Sequence, residues 1–308
     1  MTSAGDDMIG NWGIEPRVLL FGDTPRGLED MSECVRRGGG RLVAALPVEQ
    51  ACSRLQQQVL LDLLVIDISR DHGDILDALF RKAEEGRQSG RFESIFVVSP
   101  EMVDIAAGGL GDSDLLILVG RDRVELDAAV RRKLTRKAPQ LNDAGDDAPD
   151  LELRDLFGAM ENSWRRIVEA ADGSSLLRED EPARFAGPSA SADELKPEAA
   201  LAIREIIRGR RLREQFFESG MFADPAWDIL LDLAAARIEG RSVAVSSLCI
   251  AAAVPATTGL RWIKLLTAAG WLQRVADPDD GRRVFIELTD RAAQAMFAYF
   301  NALLRMNR

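Results

Sequence analysis

Histidine and cysteine are almost missing from this chain, with one His and three Cys among 308 residues. Cys34, Cys52 and Cys249 lie far apart and share no C-x-x-C spacing, and His72 is the only soft side chain that could assist them. Neither a zinc site nor a disulfide framework can be assembled from such a set, so the thiols read as small buried hydrophobes. The same poverty argues against an enzyme. There is no G-x-S-x-G, no metal-ligand cluster and no nucleotide loop from which to build a reaction, and no cofactor or metal is expected. Long apolar runs are missing too. No stretch approaches the roughly 18 apolar residues of a bilayer span, and the opening MTSAGDDMIG has acids where a secretion signal carries basic residues. The expected location is the cytoplasm, with no membrane partner.

Positive charge is in deficit over the whole chain, 39 Lys+Arg against 50 Asp+Glu for a net −11. That balance argues against a polyanionic partner, but it is uneven. From Leu195 to Arg308 there are 16 Lys+Arg against 13 Asp+Glu, whereas the residues before Leu195 hold 23 against 37. An acidic part is joined to a mildly basic one, and it is the local balance that a polyanion meets.

What the chain does have, from about Arg17, is a regular alternation. Short runs rich in Val, Ile and Leu, at 17–21, 41–46, 61–69, 94–100 and 114–120, are too short for helices and suit doubly covered parallel strands. Between them lie stretches of helical period: PRGLEDMSECVRR, VEQACSRLQQQ after Pro47, DILDALFRKAEEG and VELDAAVRRKLTRK. The alternation predicts five β-α units in a doubly wound sheet. Its functional edge is the C-terminal end of the strands. Gly38–Gly40 and GGLG at 108–111 read as helix stops and turns, since neither follows a strand as a dinucleotide fingerprint would.

Beyond Lys137, APQLNDAGDDAP has the Pro, Gly and Asp content of a linker. A helix is expected from about Leu151 to Ala171, with Leu153, Leu156, Phe157, Met160, Trp164, Ile167 and Val168 on one apolar stripe that calls for a partner. The acidic, Ser- and Pro-rich GSSLLREDEPARFAGPSASADE then reads as a second, flexible linker. The chain thus divides into an α/β domain over 1–140, a linker or dimerisation helix over 150–172, an acidic linker over 173–194 and a C-terminal α+β domain over 195–308.

The C-terminal part is mostly helical. A long helix is expected from Pro197 to about Glu218, then one capped by Asp224, started by Pro225 and ended at Gly240. The next stretch fits a strand-like lead-in, a short helix opened by Ser246, a tight turn and a second helix from about Pro255 to before Gly270. WLQRVA and RRVFIEL, joined by DPDDG, form a hairpin. Helix, turn, helix and two-stranded wing in this order present a helix to the DNA major groove.

Over about Leu195 to Leu304, this order, the GWLQR that leads into the hairpin and the DPDDGRR before a strand and LTDRA resemble the MarR family of bacterial winged-helix regulators. The resemblance matches Asp277, Asp280, Arg282 and Arg283 to the family's wing, Arg261 to its DNA-facing Arg, and Thr257 and Thr258 to its Ser or Thr. Pro255 and Gly259 depart from its pattern. What it implies is a homodimeric transcription regulator of double-stranded DNA, paired through its first and last helices. The last helix offers Met296, Phe297, Phe300, Leu303 and Leu304 for burial or an isologous contact. From the residues themselves, Leu260, Ile263 and Leu266 form a core face with Trp262 at its border, and Thr257, Thr258, Arg261 and Lys264 face away. With Ser246, Arg282 and Arg283 these are the candidate DNA-contacting residues, base edges being read by Arg and short polar groups. RGRRLR at 208–213 is the densest basic cluster; it suits flanking phosphates or a dimer helix equally.

The first domain resembles a response-regulator receiver, which implies strand order 2-1-3-4-5. Asp23, Asp67 and Ser99 fall where a receiver has its metal-binding acid, its phosphoacceptor and its hydroxyl, while Gly22 and Gly120 stand in place of a second acid and the Lys. Without those groups an acyl phosphate on Asp67 loses its stabilising charges. The domain is then a pseudo-receiver for dimerisation, regulation or a regulatory protein partner. A working phosphorelay receiver and a winged helix that binds protein are the rival readings.

Overall fold

The structure, a computed structural model, describes residues 15–111, 113, 115–135, 197–217 and 221–306. The helix expected over 151–171 and both linkers lie outside these residues.

The five apolar runs are strands β1 (Arg17–Gly22), β2 (Arg41–Pro47), β3 (Leu63–Ile68), β4 (Glu93–Val98) and β5 (Leu116–Val119). They pair in parallel in the order β2-β1-β3-β4-β5. Parallel neighbours need crossovers, supplied by α1 (Pro25–Arg37), α2 (Ala51–Gln57), α3 (Asp74–Gln88), α4 (Val103–Leu110) and, after β5, α5 (Arg123–Thr135). The strand pleat divides the core into two layers. Leu19, Phe21, Leu64, Ile66, Phe96 and Val98 face Leu76, Phe80 and Met102, whereas Val18, Leu20, Leu63, Val65, Ile95 and Val97 face Met31, Val35, Leu126 and Val130. Both faces being covered, the runs carry no polar alternation.

The crossover that sequence leaves without boundaries is α4, because GGLG reads as a turn there. The helix instead runs through Gly108 and Gly109. A helical Gly costs about 0.5–1 kcal/mol relative to Ala, and each of these two has a steric reason to be small. A methyl group on Gly109 would enter the Phe80 ring, and one on Gly108 would overlap the backbone carbonyl of Arg282.

The C-terminal domain comprises α6 (Pro197–Leu212), α7 (Pro225–Ile238), β6 (Val243–Ala244), α8 (Val245–Ala251), α9 (Ala256–Ala268), β7 (Leu272–Ala276), β8 (Val284–Leu288) and α10 (Asp290–Met306). The three strands form an antiparallel sheet in the order β6-β8-β7. Asp224 caps α7 by accepting from Trp227 N at 3.2 Å, and Thr289 opens α10 by accepting from Ala292 N at 3.2 Å. The first helix ends at Leu212, earlier than expected, in a 3₁₀ turn over Arg213–Gln215. α8 and α9 are apolar enough together to pass for a membrane span, but they bend by 106°, the angle of a helix-turn-helix. No single helix among the described residues is long and apolar enough to cross a membrane.

Met296, Phe297 and Phe300 are buried within the chain, so of the two uses expected for them it is burial that holds, and these three are not available to a second copy. α10 lies on α7 and β8, with Tyr299 edge-on to Trp227 at 4.9 Å between centroids. In this domain the large apolar side chains left exposed include Leu201, Leu212, Phe216, Phe217, Met221 and Phe222, on and just after α6, and Ile250 on α8.

Candidate nucleic-acid interface

The second helix of the helix-turn-helix, α9, is seated by Gly259, Trp262, Ile263 and Leu266, all buried. This stripe is rotated from the expected one: Leu260 is only partly buried and Trp262 belongs to the core. The reason is Gly259, whose added Cβ would lie 3.2 Å from both Cα and Sγ of Cys249 on α8. The two helices meet at that contact, and it turns position 259 inward.

Ser246 does not cap α8. The helix starts one residue earlier, behind Ala244, with no side-chain cap. Both the Ser246 amide and hydroxyl donate instead to the Asp104 carboxylate on α4, at 2.8 and 2.7 Å. Thr257, in the first turn of α9, is 4% exposed; its hydroxyl accepts from Val119 N at 2.9 Å and donates to Glu125 at 3.4 Å. Burial raises the Glu125 carboxyl above its usual pKa, opposed by Thr257 and by the nearby charge of Arg261. Thr258 and Arg261 are half-buried. Lys264 Nζ donates to Ser113 O at 2.7 Å.

In the hairpin, Arg282 donates to the Asp71 carboxylate, to Asp77 at 3.1 Å and to Gly73 O at 3.4 Å. Burial works to raise the pKa of Asp71, but the bonds from Arg282 and Gly73 N outweigh it and hold the carboxyl below its usual value. Arg283 remains 52% exposed, 3.3 Å from Asp280. Of the seven residues proposed to meet DNA, Ser246, Thr257, Lys264 and Arg282 are therefore bonded to the α/β domain. Sequence reading missed Asp104 and also Arg274, whose Nη1 donates to Ala107 O at 2.7 Å; no local pattern marks either. The basic cluster is largely structural. Arg210 donates to Asp228 at 2.6 Å, Arg211 to Ala251 O, and Arg213 lies over the Phe222 ring at 5.1 Å.

At the strand ends of the α/β domain, Asp67 is 1% exposed. Arg121 holds it in a fork, Nε to Oδ1 at 3.2 Å and Nη2 to Oδ2 at 2.9 Å. Burial raises the Asp67 carboxyl above its usual pKa, and Arg121 opposes that shift. The cation missing at Gly120 is thus supplied one residue later, where a positive-φ glycine turns the chain out of β5 (φ +82°). Asp23 accepts from Ser69 N at 2.7 Å and Arg70 N at 3.1 Å, with His72 Nε2 at 3.3 Å. Burial raises its pKa, but these bonds outweigh burial and leave it lowered. Both acids already have partners. Beryllofluoride with Mg²⁺ is therefore expected to leave oligomeric state and DNA affinity unchanged; a response that Asp67→Asn abolishes would contradict this.

The thiols of Cys34 and Cys249 are each pushed up to about 12, by burial first, as inert core residues should be. Among the described residues no cluster of His, Cys, Asp and Glu could hold a metal ion.

Residues 227–292 match a family model described as a winged helix DNA-binding domain. No curated protein sequence matches the chain. Among similar solved structures is MepR of S. aureus bound to ethidium bromide, 17% identical over 38% of this chain and 82% of that one, TM-score 0.24. A probable transcriptional regulator from Pseudomonas aeruginosa is 23% identical over 38% and 84%, TM-score 0.24. Wild-type apo MarR from E. coli is 20% identical over 33% and 73%, TM-score 0.22.

Proposed function

We propose that this chain is a DNA-binding transcription regulator that places α9 in the major groove of double-stranded DNA and the β7–β8 wing on the backbone beside it. The observation that carries this is the winged-helix DNA-binding match over 227–292, lying on a bent helix pair followed by an antiparallel hairpin. In this reading Thr257, Thr258 and Arg261 reach base edges, and Ser246, Lys264, Arg282 and Arg283 hold phosphates. The regulator works as a homodimer in the cytoplasm; the exposed apolar residues on and after α6 support a self-association surface there. The receiver-like domain serves regulation and not catalysis.

Two of the wing's acids are used within the turn itself. Asp277 accepts from Asp279 N at 2.9 Å and Asp280 from Arg282 N at 3.1 Å, so these carboxylates shape the turn. The test is a mobility shift of the full chain on duplex DNA at two salt concentrations. Affinity should fall with salt by about 0.9 log units per log unit for each phosphate contact, and Arg283→Ala should reduce that slope by about one contact. Absence of duplex binding at low salt, or a slope unmoved by Arg283→Ala, would count against the wing on DNA.

A further inference from the structure

We propose that the α/β domain is an intramolecular inhibitor of DNA binding, its acidic face standing where the duplex would lie against the recognition helix and wing. The inference rests on the DNA-binding reading above and adds its regulation.

The contacts fall on the groups that a duplex would need. The N-terminal residues of a recognition helix enter the major groove, and here Thr257 is closed over by the end of β5 and Glu125. Donors that would meet phosphate oxygens instead meet carboxylates: Ser246 meets Asp104, and Arg282 meets Asp71 and Asp77. A carboxylate offers the same charge-assisted acceptor as a phosphate, so the domain competes for these donors chemically as well as sterically. Helix α8 and the wing are approached by one element, α4, which carries Asp104 to the former and Gly108 to the latter.

Gly108 shows that the fit is specific. The carbonyl of Arg282 lies where its Cβ would be, and a helical position pays for this approach with lost helix propensity. Hydrogen bonds and ion pairs nevertheless cross the interface, from Ser246, Lys264, Arg274 and Arg282, and polar contacts are usual between domains that separate. Arg282 Nε is buried there without an acceptor, so the closed form leaves a donor that an open form would return to water.

Gly108→Ala separates this proposal from the alternatives, because it favours the helix and obstructs only the contact. Two amides report closure directly: Ser246 N–H donates to Asp104 and Val119 N–H to Thr257. In the full chain, Gly108→Ala should speed hydrogen exchange at both amides and tighten binding to a randomised duplex pool at fixed salt by about tenfold, since apparent affinity scales with the fraction of open molecules. The pair Asp71→Asn with Asp77→Asn, which leaves every winged-helix residue in place, should do the same should the Ala variant fold poorly. Faster exchange with unchanged, measurable affinity would overturn inhibition and leave the DNA reading standing. Exchange unmoved by both sets of substitutions would also overturn it, by showing that no closed contact exists in solution. If exchange quickens and no variant binds any duplex, the DNA reading falls and the inhibition falls with it.

Discussion

Gly27→Ala is expected to destabilise the α/β domain by about 3 kcal/mol, within the range for breaking a buried ion pair, while the same change at Gly209 should stabilise the chain by about 0.5–1 kcal/mol. Both glycines are helical, in α1 and α6. A methyl on Gly209 meets nothing within 4 Å, which leaves only the gain in helix propensity. On Gly27 it would overlap Asp67 Oδ2 and lie 2.7 Å from Arg121 Nη2. Asp67 has nowhere to retreat, because β3 is paired on both sides, with Gly22 and Val97 opposite this residue. Either α1 is pushed off the sheet, at the usual cost of overpacking of about 1–3 kcal/mol, or the Asp67–Arg121 fork opens and strands a buried charge. Arg121 is 35% exposed and can reach water, which keeps the expected loss near the lower end of that range. Urea unfolding midpoints give both values. A shift of the same sign at the two positions would show that space around Asp67 is not limiting.

The Asp67–Arg121 pair bears on the helix-turn-helix through chain connectivity. Val119, whose amide holds Thr257, ends β5 two residues before Arg121. One short turn therefore joins the partner of the acid at the C-terminal end of the central strand to the first turn of α9.

The order of the parallel strands comes only from the resemblance to a receiver, and the sheet has that order. Sequence periodicity locates all five of them, because a doubly covered strand must be apolar on both faces and hydropathy sees that directly. It also located the winged helix, where Asp224, Pro225, Gly270 and Thr289 punctuate the elements by local chemistry. It failed where a residue is chosen for a distant neighbour. Gly108 and Gly109 look like a helix stop until Arg282 and Phe80 are brought beside them. Ser246 looks like a cap until Asp104 is. Arg121 escapes a reading by resemblance, because a receiver has its Lys at the position of Gly120, one residue earlier. The candidate DNA-contacting residues are named from their spacing and from resemblance, but the engagement of four of them by the first domain is not legible there, since those bonds join residues more than 100 positions apart.

In the proposed complex α9 reads base edges chiefly through Arg261. The direct measurement is the affinity of wild type, Arg261→Lys and Arg261→Ala for one selected duplex and for its scrambled sequence, at a single salt concentration. The ratio of the two affinities is the informative quantity, because any closed fraction reduces both equally. A guanidinium can donate two parallel bonds to guanine O6 and N7, and such a pair discriminates by about 1–3 kcal/mol. Lys keeps the charge but not the fork. Arg261→Lys should therefore leave affinity for the scrambled duplex nearly unchanged and lower the preference for the selected one by about tenfold or more. Equal losses on both duplexes, or full preference retained by Lys, would contradict base reading by this helix.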